Sequence, residues 1–258
     1  MISKNRLKWL RGLTLKKHRQ AEGVFVAEGP KLVGDLLKAG FECVYLAHTQ
    51  QWSAPANVQV LTDFVTEDEL RRASSLETPQ GVLAVFRQPV QSISDDDYSH
   101  AVDIMSNSLC LALDNVQNPG NVGTIVRLAD WFGVTDVFCS KSCADIYGAK
   151  AIQATMGGLA RVRVHYINIY ALLKAAQEKN VPVYGTFLDG DNIYGKTLQQ
   201  RGVIVMGNEG NGISEDVATC VTERLFIPAF PANRETTDSL NVAVATAVVC
   251  AEFRRQAR

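Results

Sequence analysis

Short apolar runs alternate along this chain with stretches whose apolar positions recur at three and four. In the second half, Leu109-Cys110-Leu111-Ala112-Leu113 reads as a buried strand ending at Asp114. Similar runs predict strands at 135–139, 162–166, 182–186, 203–206 and 224–227. Between and after them the pattern predicts helices near 121–132, 148–156, 169–179, 213–219 and 239–255. Strands apolar on both faces and separated by helices imply a mostly parallel sheet covered by helices on both faces.

The first half is a smaller α/β unit. A basic helix is expected over 3–12 with Ser3 as N-cap, then a strand at Val24-Phe25-Val26-Ala27. A helix starts at Glu28-Gly29-Pro30 and ends near Gly40. Val44-Tyr45-Leu46 and Val58-Gln59-Val60-Leu61 are strand candidates, and Thr66 with Glu69 reads as a capping box. Val82-Leu83-Ala84-Val85-Phe86 closes the unit. Residues 91–108 are polar and weakly periodic, which predicts a linker with room for one short helix. The expected organisation is therefore 1–90, a linker at 91–108, and 109–258.

Composition changes this picture little. Apolar residues are 47% and charged residues 21%, and the net charge is −1, so bulk charge gives no argument for nucleic acid. Its distribution does. Lys4, Arg6, Lys8, Arg11, Lys16, Lys17 and Arg19 fall within the first 21 residues, without an acid. Such a run either contacts phosphates, with Lys4, Arg6, Lys16, Lys17 and Arg19 as candidates, or is a solvated helix face. The six cysteines show no zinc-ligand spacing, and no metal is expected. No signal peptide and no membrane-spanning run is read from the sequence, so a cytoplasmic protein is expected.

Chemistry concentrates in three loops at strand ends, where open α/β sheets bind ligands. The first is Asn115-Val116-Gln117-Asn118-Pro119-Gly120-Asn121-Val122-Gly123. In the helix after it, Ile125, Leu128, Ala129 and Phe132 form the core stripe, and Arg127 lies about 150° from its centre at ~100° per residue. The loop is either an anion site at a helix start or a plain turn followed by a surface arginine. The second is Gly207-Asn208-Glu209-Gly210-Asn211-Gly212. Its glycine spacing reverses the dinucleotide fingerprint, no Lys-Ser/Thr follows, and 46 residues remain, which excludes a dinucleotide-binding domain and a P-loop. The third runs from Ile227-Pro228-Ala229-Phe230-Pro231 to Ser239-Leu240-Asn241, where Ser239 and Asn241 are natural caps. The helix after it, Val242 to Ala251, is apolar all round and is expected to be buried.

Together these loops resemble the motifs of the SpoU (TrmH-type) family of SPOUT RNA methyltransferases. Asn-Pro-Gly-Asn-x-Gly-x-Ile-x-Arg at 118–127 is similar to the first, Met-Gly-Asn-Glu-Gly-x-Gly-Ile at 206–213 to the second, and Ile227-Pro228 with Ser-Leu-Asn-Val at 239–242 to the third. Thr155-Met156-Gly157-Gly158 and Thr186-Phe187-Leu188-Asp189-Gly190 resemble further family segments. Phe25-Val26-Ala27-Glu28-Gly29 and Thr78-Pro79-Gln80-Gly81-Val82 resemble a ribosomal-protein-like substrate-binding domain. Pro228 is followed by Ala229-Phe230-Pro231 where members usually carry Pro-Met-x-Gly, and the loop to Ser239 is longer than usual.

The resemblance implies a C-terminal trefoil knot, a homodimer, and transfer of a methyl group from S-adenosylmethionine to a ribose 2′-hydroxyl of RNA. Ribosomal RNA is favoured over transfer RNA. It implies catalytic roles for Arg127, Asn121, Glu209, Ser239 and Asn241. Thr186, Leu188, Gly207, Asn208, Gly210, Gly212, Ile227, Pro228, Ser239 and Leu240 would bind the cofactor. Arg127 would bind the target phosphate and stabilise alkoxide character, since a guanidinium is too weakly acidic to serve as a base. The rival from another class is a non-catalytic RNA-binding protein, which would lack an intact site.

Overall fold

The computed structural model describes residues 2–55, 60–90, 92–231 and 237–257. The chain divides into two compact units, residues 1–90 with 145–161, and residues 91–144 with 162–258.

In the second unit all six strands pair in parallel: β5 (Leu109–Leu113), β6 (Asp136–Cys139), β7 (Arg163–Tyr166), β8 (Val183–Asn192), β9 (Gly202–Met206) and β10 (Glu223–Phe226). Their spatial order is β10-β8-β9-β5-β6-β7. The apolar runs explain the arrangement, because β5 and β9 are buried at every position. On β5 the two-residue period sends Cys110 and Ala112 to one face. There they meet Ala101 and Met105 of α5 (Ser99–Asn107), Leu172, Leu173 and Ala176 of α8 (Ile169–Glu178), and Val217 of α9 (Glu215–Ala218). Helices α6 (Pro119–Trp131) and α10 (Val242–Arg255) pack against each other. Their buried stripes include Val122, Ile125 and Ala129 on α6 and Val249 and Phe253 on α10.

The expected linker differs from what is found. Ile93, Ala101, Val102 and Met105 are buried in the core of the second unit, and Asp95 accepts the Asn168 backbone N–H at 2.7 Å. Helix α5 makes this segment part of the fold. Its apolar positions are too few to stand out in a short window, and only the sheet beneath them gives them a partner.

The first unit contains β1 (Val24–Glu28), β2 (Cys43–His48), β3 (Thr62–Phe64) and β4 (Val82–Arg87) in the order β1-β4-β2-β3. Strand β4 is antiparallel to β1 and β2, and β3 is parallel to β2. The candidate strand at 58–61 lies partly outside the described residues, and pairing begins at Thr62. Helices α1 (Lys4–Gly12), α2 (Lys16–Glu22), α3 (Pro30–Lys38) and α4 (Glu67–Ala73) surround the sheet, with α2 absent from the expectation. Ser3 caps α1, and Thr66 with Glu69 closes the capping box on α4. Segment 145–161, with α7 (Ala149–Ala154), was expected in the second unit but belongs to the first. Tyr147 tilts onto Phe25 at 5.0 Å, and Gln153 donates to the Glu28 carbonyl at 2.9 Å. Gly157 has φ +93°, and a Cβ there would come within 2.3 Å of the Asp35 carboxylate. The requirement for glycine in that segment is thus one of fold.

Candidate active site

Strand order decides where chemistry can occur. From β5 the sheet grows through β6 and β7 on one side, and through β9, β8 and β10 on the other. Two neighbouring strands whose connections diverge leave a crevice beyond their carboxyl ends. The Asn115–Gly123 loop follows β5 and the Gly207–Gly212 loop follows β9, so the sheet brings the first two loops to this switch point.

Each loop is built by its own polar residues. Asn115 holds φ 57°, its backbone N–H donates to Ser140 Oγ at 2.9 Å, and its carbonyl accepts from Asn208 Nδ2 at 2.8 Å. Asn118 caps α6 by accepting from the Gly120 N–H at 2.8 Å, with Pro119 in the first turn. In the second loop, Asn208 and Gly212 exchange backbone bonds at 2.8 and 3.0 Å. Asn208 Oδ1 gathers the N–H groups of Gly210 and Asn211 at 2.9 and 3.0 Å. Gly207 is obligatory for steric reasons, because an added Cβ would lie 2.2 Å from the Gly212 carbonyl carbon.

One side chain joins all three loops. Asn121 Nδ2 donates to Glu209 Oε1 at 2.7 Å, and Asn121 Oδ1 accepts from Asn241 Nδ2 at 3.2 Å. A carboxylate only accepts, so Glu209 fixes which end of the Asn121 amide faces it. Asn241 also caps α10, its Oδ1 taking the N–H groups of Ala243 and Val244 at 2.9 and 3.3 Å. It is therefore a cap and a site residue together. Arg127 is exposed, as the helical spacing predicts, and forms no hydrogen bond or ion pair with the described residues.

The remaining candidates are placed less tightly. β8 shifts register against β10 between Arg224 and Leu225, so residues 186–190 stand out from the pairing. Leu188 there is 71% exposed, whereas the Thr186 hydroxyl is turned to the Val205 carbonyl at 3.4 Å. Ile227 and Pro228 are half-buried just beyond β10, and Leu240 and Ser239 are exposed ahead of α10. The Ser239 carbonyl accepts from Thr237, and no cap bond from its hydroxyl is found among the described residues. The lengthened loop contains 232–236, which lie outside the described residues.

Sequence reasoning missed the supports beneath these loops. Asp114 is buried and accepts the Ser214 N–H at 2.8 Å, which pins the exit of the second loop to the end of β5. Cys143 accepts from the Val116 N–H at 3.3 Å and contacts Ser140 Oγ at 3.4 Å. A hydrogen bond from Cys139 draws its thiol down to about 7 against the effect of burial. Asp114 carried a weak signal, an acid closing an apolar run. The cysteine carried none.

The basic N-terminal residues divide. Lys4, Lys16 and Lys17 are exposed. The Arg6 guanidinium lies 4.7 Å from the Tyr45 ring centroid and 5.2 Å from that of Trp9. Arg19, expected on phosphate, is only 4% exposed. It donates to the Leu13 and Thr14 carbonyls at 2.9 and 2.8 Å and pairs with Asp145 at 2.6 Å. Its charge is used inside the fold, so it is corrected from an RNA contact to a core residue. A charge run in sequence does not reveal which member points inward.

Comparison with known proteins gives the family of both parts of the chain. Residues 108–251 match the model of the SpoU rRNA Methylase family, and residues 4–84 match the MRM3-like substrate binding domain. A solved TrmH-family protein from Porphyromonas gingivalis superposes with a TM-score of 0.86 at 40% identity, covering 99% of each chain. An AdoMet-bound rRNA methyltransferase from Sinorhizobium meliloti gives a TM-score of 0.81 at 28% identity over 99% of this chain and 97% of that one. The 23S rRNA (guanosine(2553)-2'-O)-methyltransferase RlmP of Bacillus subtilis is 26% identical over 94% of this chain and 93% of its own. With its loops joined at the switch point and more than half its length matched by the family model, this chain belongs to the SpoU rRNA Methylase family.

Proposed function

We propose that this protein transfers a methyl group from S-adenosylmethionine to a ribose 2′-hydroxyl of ribosomal RNA. The observation that carries the reading is the Asn241–Asn121–Glu209 bridge, which ties three strand-end loops together beside an exposed arginine helix. The loops suit the cofactor in chemistry. The 207–212 and 227–228 segments offer backbone donors and acceptors, and Leu188, Ile227, Pro228 and Leu240 offer apolar surface for an adenine. When bound, the cofactor supplies an electrophilic methyl carbon on a sulfonium.

The chain's own contribution is positioning and charge. Arg127 binds a phosphate of the target nucleotide with its planar fork and stabilises negative charge developing on the ribose oxygen. Asn121, held by Glu209 and Asn241, orients the sugar. The hydroxyl proton passes to a phosphate oxygen or water, because a guanidinium cannot take it. Ser239 completes the rim of the site.

The same reading includes a homodimer and a cytoplasmic setting. The apolar stretch of α10 from Val242 to Ala251, expected to be buried, is not buried throughout: Val244 is 51% exposed, as is Trp131 on the neighbouring α6 at 83%. A second copy covering these helices would account for both. Sedimentation of Trp131→Glu should then show a monomer where the parent is a dimer. Among the described residues no helix is long and apolar enough to cross a membrane. The same reading includes the knot that the resemblance implies; the end of the chain is anchored, with Gln256 bonding the 196–198 segment at 2.9 and 3.0 Å and Arg254 the Phe132 carbonyl at 2.7 Å.

The deciding experiment supplies methyl-labelled S-adenosylmethionine and ribosomal RNA, then digests the RNA for mass spectrometry. Label on a 2′-O-methylnucleoside is expected. Label on a base, or none on any RNA, would sink the proposal.

A further inference from the structure

The second unit holds its β8 extension by a contact that the three loops do not explain. Strands β8 and β10 pair at Gly185 with Arg224 and next at Asp191 with Leu225, so residues 186–190 bulge out of the ladder. A bulged stretch loses the ladder bonds that would fix it. Its position must come from side chains and from close backbone contact.

Arg224 supplies the side-chain part. Its guanidinium carbon lies 3.5 Å from the centroid of the Phe187 ring, and its Nη2 donates to Asp189 Oδ1 at 2.5 Å. One planar cation thus stacks on one residue of the bulge and pairs with the next but one. The same guanidinium holds the Asp189 carboxyl below its ordinary value. Phe187 is itself anchored. It packs, half-buried, against the core of the second unit, and a Cβ at Gly185 would come within 2.5 Å of its ring. At the far end Gly190 lets the two backbones meet, since a Cβ there would lie 2.7 Å from the Leu225 carbonyl carbon.

Leu188 is the residue between the two that Arg224 holds. Successive side chains of extended chain point to opposite sides, so fixing Phe187 and Asp189 turns Leu188 away from Arg224. Leu188 is 71% exposed. Lys196 ties the same two strands beyond the bulge, pairing with Asp191 at 3.0 Å and Glu223 at 2.8 Å, and gives an internal control.

We propose that Arg224 is a positioning residue for S-adenosylmethionine: by clamping Phe187 and Asp189 it presents Leu188 to the adenine. The proposal rests on the cofactor reading above. A bulge free to sample other arrangements binds with an affinity reduced by the fraction that fits. Calorimetry of S-adenosylmethionine with the full chain tests this, beside steady-state methylation of ribosomal RNA. Arg224→Ala should raise the Kd about 3- to 30-fold, the combined effect of one cation–π contact and one surface ion pair. Asp189→Ala, which keeps the stack, should raise it about two- to fivefold. Arg224→Lys, which keeps the pair and loses the planar stack, should fall between parent and Arg224→Ala. KM for S-adenosylmethionine should rise in step, with kcat at saturation within about twofold of the parent's. RNA affinity should not change, and Lys196→Ala should bind the cofactor as the parent does.

Parental cofactor affinity in Arg224→Ala or in Asp189→Ala would overturn the clamp, and the exposed Asp189 decides alone if Arg224→Ala does not fold. An equal loss in Lys196→Ala would also overturn it, by making the effect one of strand pairing. Binding by the parent with every variant unaffected removes the clamp and leaves the cofactor reading standing. No binding by the parent removes both.

Discussion

The two units differ in where their polar residues meet. In the second, polar side chains gather beyond the carboxyl ends of a fully parallel sheet, and Asn121, Glu209 and Asn241 spend their hydrogen bonds on one another across three loops. In the first, with its mixed sheet, the strongest polar interactions are structural. Arg19 is buried on Asp145, and the buried Glu28 carboxylate accepts from Ser74, from the Ser75 hydroxyl at 2.6 Å and from the Ser75 N–H at 2.9 Å. The lesson is that charge near the terminus and charge near the crevice look alike in sequence but do different work. A parallel sheet with a switch point leaves its loop residues a common centre, and a mixed sheet does not.

The sharpest test of that contrast is Arg127→Lys. It keeps the charge and loses the planar fork, so turnover should fall about 100- to 1,000-fold, the scale of removing one transition-state donor. Calorimetry should show S-adenosylmethionine binding unchanged. Near-normal turnover would remove Arg127 from the chemistry.

Gly207→Ala should do the reverse. The added methyl group collides with the backbone at Gly212, so the second loop must open. Cofactor affinity should drop by at least about tenfold, while binding of RNA by the first unit persists. An alanine enzyme with parental affinity would show that the loop does not form the cofactor wall.

Stability separates the units next. Asp136, at the start of β6 and fully buried, accepts from Arg163 at 2.6 and 2.8 Å, His165 at 2.9 Å and Thr135 at 2.8 Å. Burial alone would raise its carboxyl, but the bonds from His165, Arg163 and Thr135 outweigh it and hold the group well below the usual carboxylate range. A depressed native value stabilises the fold above the unfolded value of about 3.9 and loses that contribution as pH falls below it. Asp136→Asn should cost about 3 kcal/mol at neutral pH in denaturant titrations, and its stability should change less between neutral and acid pH than the parent's. A parental acid profile would remove Asp136 from the acid response.

The smallest effects distinguish the basic residues of the first unit. Replacing Lys4, Lys16 and Lys17 by alanine should leave melting unchanged and flatten the salt dependence of RNA binding, by about 0.7 to 0.9 in slope for each phosphate no longer neutralised. Arg19→Ala should lower the melting temperature without changing that slope. Equal slopes in the two variants and the parent would make the lysines a solvated face.

Much of this was legible in the order of residues. The six strands of the second unit, the exposure of Arg127 and the three loops follow from apolar spacing and from glycine, asparagine and proline chemistry, all local properties. The burial of helix α5 in the second core, and the membership of the 145–161 segment in the first unit, were not legible, because the partners of both lie far along the chain. Asp114 gave only the weak signal of an acid closing an apolar run, and Cys143 and the inward turn of Arg19 gave none.

The sequence by itself determined the six strands of the second unit and most of the helices, where the polar loops fall and which residues they contain, since a period of two or of 3.6 is set by covalent geometry and burial of a face. Only the tertiary structure decided that β5 and β9 are neighbours, that Asn121 reaches both Glu209 and Asn241, and that one arginine of a basic run is internal. Those outcomes depend on bonds between residues 88 to 126 positions apart. No local preference fixes such pairings; close packing does.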